Sequence, residues 1–267
     1  MRLNPIQTPP ETIPGAQLVT HTARVLKALA VHQEHGARVA DLVEHTRLER
    51  ATVNRITRAL CLEGLAMRRD DGPRYVLGPL AFELGLAAGR HHPLRELAAE
   101  SMARIGELTG DTCFLRVRSG RDAVCIDRRE GSFPVKALTI SVGDRRPIGA
   151  SAASLALLMH LPEHEREALI LANSERIRRY GMLTAGVTRA MLAKSLELGF
   201  ALNNNNIIPD VSAVGVAIPA RFGPPFAALS VSALSSRMMP GQRFRKIVRW
   251  LEAEARQIAS ALTNSTT

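Results

Sequence analysis

The sequence has few cysteines and few aromatic residues, and it has no long hydrophobic run. Its three cysteines, Cys61, Cys113 and Cys125, are odd in number and have no C-x-x-C spacing, which argues against a disulfide framework and a cysteine-rich zinc site. No window holds the roughly 18 uncharged apolar residues of a membrane span, and the N-terminus lacks the charged and apolar regions of a signal peptide. We therefore expect a protein of the reducing cytoplasm with no membrane partner.

Motifs of several enzyme classes are also missing. The chain contains no Walker loop, no G-x-G-x-x-G and no G-x-S-x-G. The run His160–His164 matches H-x-x-E-H, a zinc peptidase pattern in which both histidines lie on one helix face. Pro162 between them lacks an N–H and disfavours a continuous helix, so a helix end followed by a new helix start is the favoured interpretation. We expect no catalytic residue, metal or cofactor.

The length and composition indicate an ordinary two-domain protein. The chain has 267 residues, of which 46% are hydrophobic and 22% are charged, and the mean hydropathy is near zero; both are typical of globular domains. A formal net charge of +10 suggests an anionic partner, but residues 1–85 carry 11 basic and 9 acidic residues. The clearer signal is local, because only Glu49 accompanies Arg47, Arg50, Arg55 and Arg58 within one short stretch.

The N-terminal part predicts a mobile arm followed by a compact helical unit. Proline density over residues 1–17 prevents regular structure and predicts the arm. Apolar residues then recur at helical spacing from Leu18, from Val39 and over Val53–Leu60, and the last two helices are joined by a tight connection. Such a pair, with arginines on the outer face of its second helix, is a helix-turn-helix.

A hairpin and a connecting helix are expected next. Strand-like segments at Leu65–Arg69 and Tyr75–Leu77 flank the turn cluster Asp70–Pro73, which makes residues 18–78 a winged helix-turn-helix domain. Pro79 suits the first position of a helix, and apolar i, i+4 pairs extend it, so residues 79–90 form a predicted linker helix.

Residues 91–267 alternate predicted strands and helices. Strand-like patterns cover residues 112–118, 121–127, 135–140, 211–218 and 226–233, and helical patterns cover 152–160, 162–179, 188–198 and 240–262. Ser119-Gly120 is a hairpin signal. We therefore expect an α+β protein whose second domain has a mainly antiparallel sheet flanked by helices.

The predicted recognition helix carries the residue types that read DNA. Arginine donates two hydrogen bonds to guanine and asparagine pairs with adenine; the alternative is an ordinary solvated face. The candidates off the apolar stripe are Arg50, Thr52, Asn54, Arg55 and Arg58. At the hairpin, Arg68, Arg69 and Arg74 suit phosphates or a minor groove, contacts that orient the protein without specifying sequence.

The second domain offers candidates for a small-molecule site. The small residues Gly149–Ser154 precede a helix, and two interpretations stand equally. Either the free N–H groups at the start of this helix bind an anion, or the small residues let the helix pack closely on the sheet. Asn203–Asn206 supply pocket donors and acceptors or form a polar loop. Ser230 and Ser232 share one face of a strand, where they line a polar cavity or meet water.

Together these motifs resemble the IclR family of bacterial transcriptional regulators over residues 18–262. The stretch Leu48–Ile56, followed by Gly64-Leu65 and Tyr75–Gly78, is similar to the family's recognition helix and wing. The similarity continues through the segments Gly143–Gly149, Leu155–Leu158, Gly199–Ala201, Val211–Gly215 and Ala228–Ser232.

The resemblance implies a regulator that acts as a homodimer or homotetramer on double-stranded operator DNA. Its C-terminal domain, residues 91–267, is then a GAF-like α/β domain that binds an organic-acid or aromatic effector. Carried over by motif, the effector contacts are Ser151, Ala152, Ala153, Ser154, Asn203, Ala213, Ser230 and Ser232. This chain departs from the family pattern at four of these positions. Ser151 and Ala153 replace glycines that are common in the loop, Asn203 replaces a frequent acidic residue, and Ala213 replaces a frequent cysteine. The effector of a relative therefore does not transfer to this chain.

Two other classes remain open. A ligand-independent DNA-binding protein would bind no metabolite, and an enzyme with an appended DNA-binding domain would turn one over.

Overall fold

The computed structural model describes residues 13, 15–32, 35–89, 93–138 and 140–265. The chain divides into two compact units, and the division falls between Pro93 and Leu94. Most of the predicted N-terminal arm lies outside the described residues, and its remainder runs into the first helix at Gln17.

The first unit is a winged helix-turn-helix. Its helices are α1 (Gln17–Val31), α2 (Val39–Thr46) and α3 (Arg50–Leu62), followed by strands β1 (Ala66–Arg68) and β2 (Tyr75–Leu77) and by α4 (Pro79–Gly89). The predicted apolar stripes meet in one core, in which Val25, Leu29, Leu42, Val53 and Ile56 are buried. This core fixes which face of α3 points outward.

Local chemistry sets the ends of the recognition helix. Arg47 follows α2 in the left-handed conformation with φ 57°, and Leu48 N–H donates to the Thr46 hydroxyl at 3.3 Å. These two features make the tight connection before α3. Gly64, just beyond α3, also has positive φ, at 70°, as a glycine after a helix end commonly does.

The wing is a short antiparallel hairpin. Ala66 pairs with Leu77 and Arg68 with Tyr75, and a further bridge joins Ala37 to Tyr75. The turn between the strands is tied by the guanidinium of Arg69, which donates to both carboxylate oxygens of Asp71.

The second unit is a sheet covered by helices on both faces. Its elements in chain order are α5 (Leu94–Leu97), α6 (Ala99–Thr109), β3 (Thr112–Ser119), β4 (Asp122–Arg129), β5 (Arg145–Pro147), α7 (Ala152–Met159), α8 (Glu163–Ile177), α9 (Ala185–Leu198), β6 (Ala201–Asn204), β7 (Val211–Ala217), β8 (Ala227–Leu234), α10 (Ser235–Met238), a 3-10 turn (Pro240–Gln242) and α11 (Arg243–Asn264).

Six strands form one sheet in the order β5-β4-β3-β8-β7-β6, and every neighbouring pair is antiparallel. One core lies between this sheet and α5, α6 and α11. A second core includes α7, α8 and α9. The α+β class and the antiparallel sheet expected from the sequence are therefore confirmed.

One expectation for this unit is wrong. The described residues of 135–140 form no strand, and Val135 and Leu138 are about half exposed. The strand that pairs with β4 at this edge of the sheet is instead β5. For Asn203 and Asn204, a pocket or a polar loop was left open; both belong to β6 and therefore not to a loop. Pairing with Ala213 and Ser212 of β7 overrides the weak strand propensity of asparagine.

Candidate DNA interface and ligand cavity

The outer face of α3 carries four exposed polar side chains. We call Arg50, Asn54, Arg55 and Arg58 the recognition face; all four are exposed, whereas Thr52 is half-buried. Val53, Ile56 and Leu60 on the opposite side are buried. The helix is thereby held rigidly while its basic side projects into solvent.

The three arginines of the wing differ in their surroundings. Arg68 is exposed, with its Nε 3.4 Å from the Gly72 carbonyl. Arg69 is paired with Asp71, and this hydrogen bond holds the pKa of Asp71 below its ordinary value. Arg74 donates to the Gly36 carbonyl at 3.2 Å. A phosphate contact by Arg69 or Arg74 therefore competes with a contact inside the protein.

In the second unit, side chains from four separated segments line one cavity, which we call the sheet cavity. It includes six of the residues that the resemblance carried over, together with six that sequence reasoning missed. The first set is Ser151, Ala152, Asn203, Ala213, Ser230 and Ser232, and the second is Phe114, Ile140, Arg146, Ile207, Ile208 and Val211. Ala153 and Ser154 are fully buried beside it and do not line it.

Strand register explains why the first set meets. Ala213 of β7 lies opposite both Asn203 of β6 and Ser232 of β8, so these three side chains form a row across the sheet. The next row contains Gly215 and Ser230. Ser230 and Ser232 were expected either to line a polar cavity or to meet water. Both are buried and line the cavity.

The start of α7 closes the cavity from above the sheet. Ser151 caps the helix, its Oγ accepting from the Ser154 N–H at 3.1 Å, and the Ser154 hydroxyl accepts from the Gly149 N–H at 3.0 Å. The small residues Gly149–Ser154 therefore let the start of α7 pack closely on the sheet. The helix N-terminus also borders the cavity, because Ser151 and Ala152 line it.

The sheet cavity is tight in this conformation. Its free volume is about 20 Å³, which is about the space that one water molecule needs. Side chains must therefore move before a metabolite enters.

The structure separates the two histidines of the H-x-x-E-H match. α7 ends before His160, and Pro162 precedes α8, as Pro162 predicts. Across the described ranges, no three or more His, Cys, Asp and Glu residues are grouped in a way that would hold a metal ion. None of the helices built from described residues is both long and apolar enough to cross a bilayer.

A winged helix-turn-helix joined to a separate unit with an internal cavity defines a DNA-binding regulatory protein. Residues 87–260 match the family model for the bacterial transcriptional regulator IclR C-terminal domain. The chain belongs to the IclR family of bacterial transcriptional regulators, and the resemblance inferred from the motifs is confirmed.

Similar proteins extend this match over nearly the whole chain. The HTH-type transcriptional repressor AllR of Klebsiella pneumoniae is 25% identical over 264 residues, which cover 98% of this chain and 95% of that protein. An IclR family transcriptional regulator from Brucella abortus has a similar fold, with a TM-score of 0.74 at 20% identity and 98% of each chain covered. An IclR homolog from Microbacterium hydrocarbonoxydans, solved with 4-hydroxybenzoate, has a TM-score of 0.69 at 23% identity, with 92% of this chain and 99% of that chain covered.

Proposed function

We propose that this IclR-family regulator binds operator DNA through the recognition face and that a small metabolite in the sheet cavity changes its operator affinity. The observation that carries the proposal is the convergence on one cavity of Ser151, Asn203 and Ser230, which come from distant parts of the chain. The bound 4-hydroxybenzoate of the Microbacterium homolog supports a small organic ligand. Because bacterial DNA lies in the cytoplasm, the protein acts there.

The DNA contacts divide into two kinds. Arg50, Asn54, Arg55 and Arg58 are exposed on one helix, where arginine and asparagine reach base edges in the major groove, and Thr52 lies at the margin of this face. Arg68 of the wing contacts phosphate. Arg69 and Arg74 shape the wing and contribute positive charge near the backbone.

A second copy of the chain completes the DNA-binding unit. Helix α4 buries none of its side chains, and Phe82, Leu84 and Leu86 are all more than half exposed. Such an apolar surface favours association, and we propose that α4 pairs with α4 of a second protomer. A homodimer, or a homotetramer built from it, then reads two half-sites about one helical turn, roughly 34 Å, apart.

Ligand binding is coupled to conformation because the cavity has little free space. A metabolite that binds an opened form shifts the population toward that form. If this form spaces the recognition helices differently, operator affinity changes by the coupling free energy, typically about 1–3 kcal/mol. The ligand is bound and released unchanged, so incubation with the protein leaves its concentration constant.

The test begins with purified protein and fragments of the genome of its own organism. Selection of bound fragments yields the operator, and fluorescence anisotropy then measures its Kd with and without metabolites of the neighbouring genes' pathways. We expect one sequence motif and at least one compound that changes the Kd about 5- to 150-fold. No sequence preference at low salt would contradict the DNA-binding proposal, and chemical turnover of the compound would favour an enzyme.

A further inference from the structure

The positive charge of the chain is concentrated outside its DNA-binding unit. Residues 1–85 carry 11 basic and 9 acidic residues, whereas residues 86–267 carry 24 basic and 16 acidic residues. The beginning of α11 is especially basic, because Arg243–Leu251 includes four basic residues and no acidic one. The first unit therefore accounts for little of the formal net charge of +10.

The basic side chains at the beginning of α11 line an open groove on the surface of the second unit, which we call the basic groove. Its volume is about 700 Å³, and its lining is Gly241, Gln242, Arg243, Arg245, Lys246 and Arg249. Arg243 forms an ion pair with Asp111. Arg245, Lys246 and Arg249 are exposed, and within the described part of the chain no carboxylate pairs with them. Three positive charges are therefore available to a partner.

The placement of these charges opposes helix formation. Arg243, Arg245 and Lys246 lie in the first turn of α11, where the helix dipole favours negative charge, and no acidic residue lies in that turn. Arg245 and Arg249 are four residues apart on the helix, and like charges at this spacing repel each other. Each cost is a fraction of a kcal/mol, but all of them act against the fold, so helix stability does not explain the cluster.

We propose that the basic groove binds the phosphate backbone of duplex DNA, as a second DNA contact that is independent of sequence. Lysine and arginine bind backbone phosphates without reading the bases. The lining of the groove contains no apolar side chain, whereas protein–protein interfaces have apolar or aromatic anchors at their centre and protein–DNA interfaces are polar and strongly positive. The inference rests on the proposed function in that DNA is the partner, and it adds a contact surface in the other unit.

Trp250 provides a local readout of this contact. It is the only tryptophan of the chain, and the Lys246 Nζ lies 5.0 Å from the centre of its ring. An ammonium at this distance is attracted to the face of the ring, so a phosphate that draws Lys246 away changes the surroundings of the indole. Because Trp250 belongs to the second unit, we expect its fluorescence to report occupancy of the basic groove.

The experiment compares two full-length triple variants that remove the same charge from the second unit. The groove variant combines Arg245→Gln, Lys246→Gln and Arg249→Gln. The control variant combines Arg178→Gln, Arg189→Gln and Lys194→Gln, at side chains that already pair with carboxylates. The groove variant loses only charges that oppose the helix, so we expect its unfolding midpoint to be unchanged or raised.

Anisotropy titrations of a random-sequence duplex over a salt series give the slope of log K against log salt concentration. We expect the groove variant to reduce the magnitude of this slope by about 2–3, since each lost phosphate contact contributes about 0.9, and to bind about tenfold or more weakly at low salt. The control variant keeps a slope close to that of the wild type. An unchanged slope in the groove variant, or an equal reduction in both variants, would overturn the inference.

Tryptophan fluorescence separates DNA from other anions. We expect the random-sequence duplex to change the Trp250 emission saturably in the wild type and in the control variant, but not in the groove variant. Inorganic phosphate and polyglutamate at the same ionic strength are the comparison probes. A response to inorganic phosphate but not to DNA would indicate a small-anion site, and a response to polyglutamate but not to DNA would indicate an acidic protein partner. Either result would overturn the inference.

The outcome is distinguishable from that of the proposed function. A wild-type protein that prefers no DNA sequence, but whose salt slope falls in the groove variant, would overturn the operator proposal and support the basic groove. A groove variant that binds the operator with the affinity and the salt slope of the wild type would do the reverse.

Discussion

Gly215 of β7 lies directly beneath Ala152, so that a β-carbon on Gly215 would come within 2.8 Å of the Ala152 carbonyl. The clash would be with backbone, which has no rotamer to escape it. Because Ala152 begins α7 and lines the sheet cavity, this close approach fixes the helix that closes the cavity.

We predict that Gly215→Ala lowers the free energy of unfolding by about 1–3 kcal/mol, the usual cost of overpacking a core. It also displaces the start of α7 and weakens ligand binding. Urea denaturation and calorimetric titration with the effector measure the two effects.

Gly186→Ala is the matched control. Gly186 lies in α9 of the same unit, and its added β-carbon would meet only the Thr184 Oγ1, at 3.7 Å. Alanine is the better helix former by about 1 kcal/mol, so this variant is neutral or stabilising. Equal destabilisation by both substitutions would contradict the packing argument.

The fold was largely predictable wherever one side of an element faces water. Val53, Ile56 and Leu60 mark α3 because its other face is exposed, and the wing follows from turn residues. Residues 135–140 show where a sequence pattern misleads. Their composition is typical of a strand, but this segment pairs with no strand among the described residues. Helices α5 and α6 were not predicted at all.

The site was predictable only in part, for a physical reason. The sheet is covered on both faces, so apolar alternation does not tell which side of β3 meets a cavity. The sequence signal for this face was Arg116, a charged residue inside the apolar strand β3. It is fully buried and shares its face of β3 with Phe114, which lines the cavity. Arg146 lies within the segment Gly143–Gly149, which is similar to the family, but only the register of β4 and β5 shows which face of the sheet it occupies.

The recognition face gives a test of specificity. We predict that Arg55→Ala weakens operator binding by about 1–3 kcal/mol, since a base-edge contact is lost, and weakens binding to random DNA much less. Anisotropy titrations at one fixed salt concentration measure both affinities. Arg178→Ala removes a comparably exposed charge in the other unit and serves as the control. Equal losses on both DNAs would assign Arg55 to phosphate instead.

The wing contains an exposed arginine, Arg68, and an arginine that is paired with a carboxylate, Arg69. Because Arg68 is exposed, we predict that Arg68→Ala reduces the slope of log K against log salt concentration by about 1, as loss of one phosphate contact does. Arg69→Ala changes the slope less, because its guanidinium already neutralises Asp71. Operator titrations over a salt series give both slopes, and a larger change for Arg69→Ala would reverse the assignment.

Ser230 tests the cavity without touching the DNA-binding unit. We predict that Ser230→Ala weakens effector binding by about 1 kcal/mol, the typical net value of one hydrogen bond, and leaves operator affinity without effector unchanged. Ser260→Ala, on the exposed side of α11, is the control. An unchanged effector response in Ser230→Ala would remove this hydroxyl from the ligand contacts.

The ion pair between α6 and α11 gives a prediction about pH. Arg104 donates to both oxygens of Glu254, at 3.0 and 2.8 Å. Burial alone would raise the pKa of Glu254, but hydrogen bonds from Arg104 and Ser101 outweigh it, and the net pKa is lowered. A carboxylate with a lower pKa in the folded state stabilises the fold above its unfolded pKa, near 4.3, and loses this contribution as the pH falls through the folded value.

Glu254→Gln should therefore cost up to about 1 kcal/mol at pH 7 and flatten the loss of stability below about pH 5, as urea denaturation at several pH values would show. Glu252→Gln on the same helix is the control, and parallel pH profiles for wild type and Glu254→Gln would contradict this role of the pair.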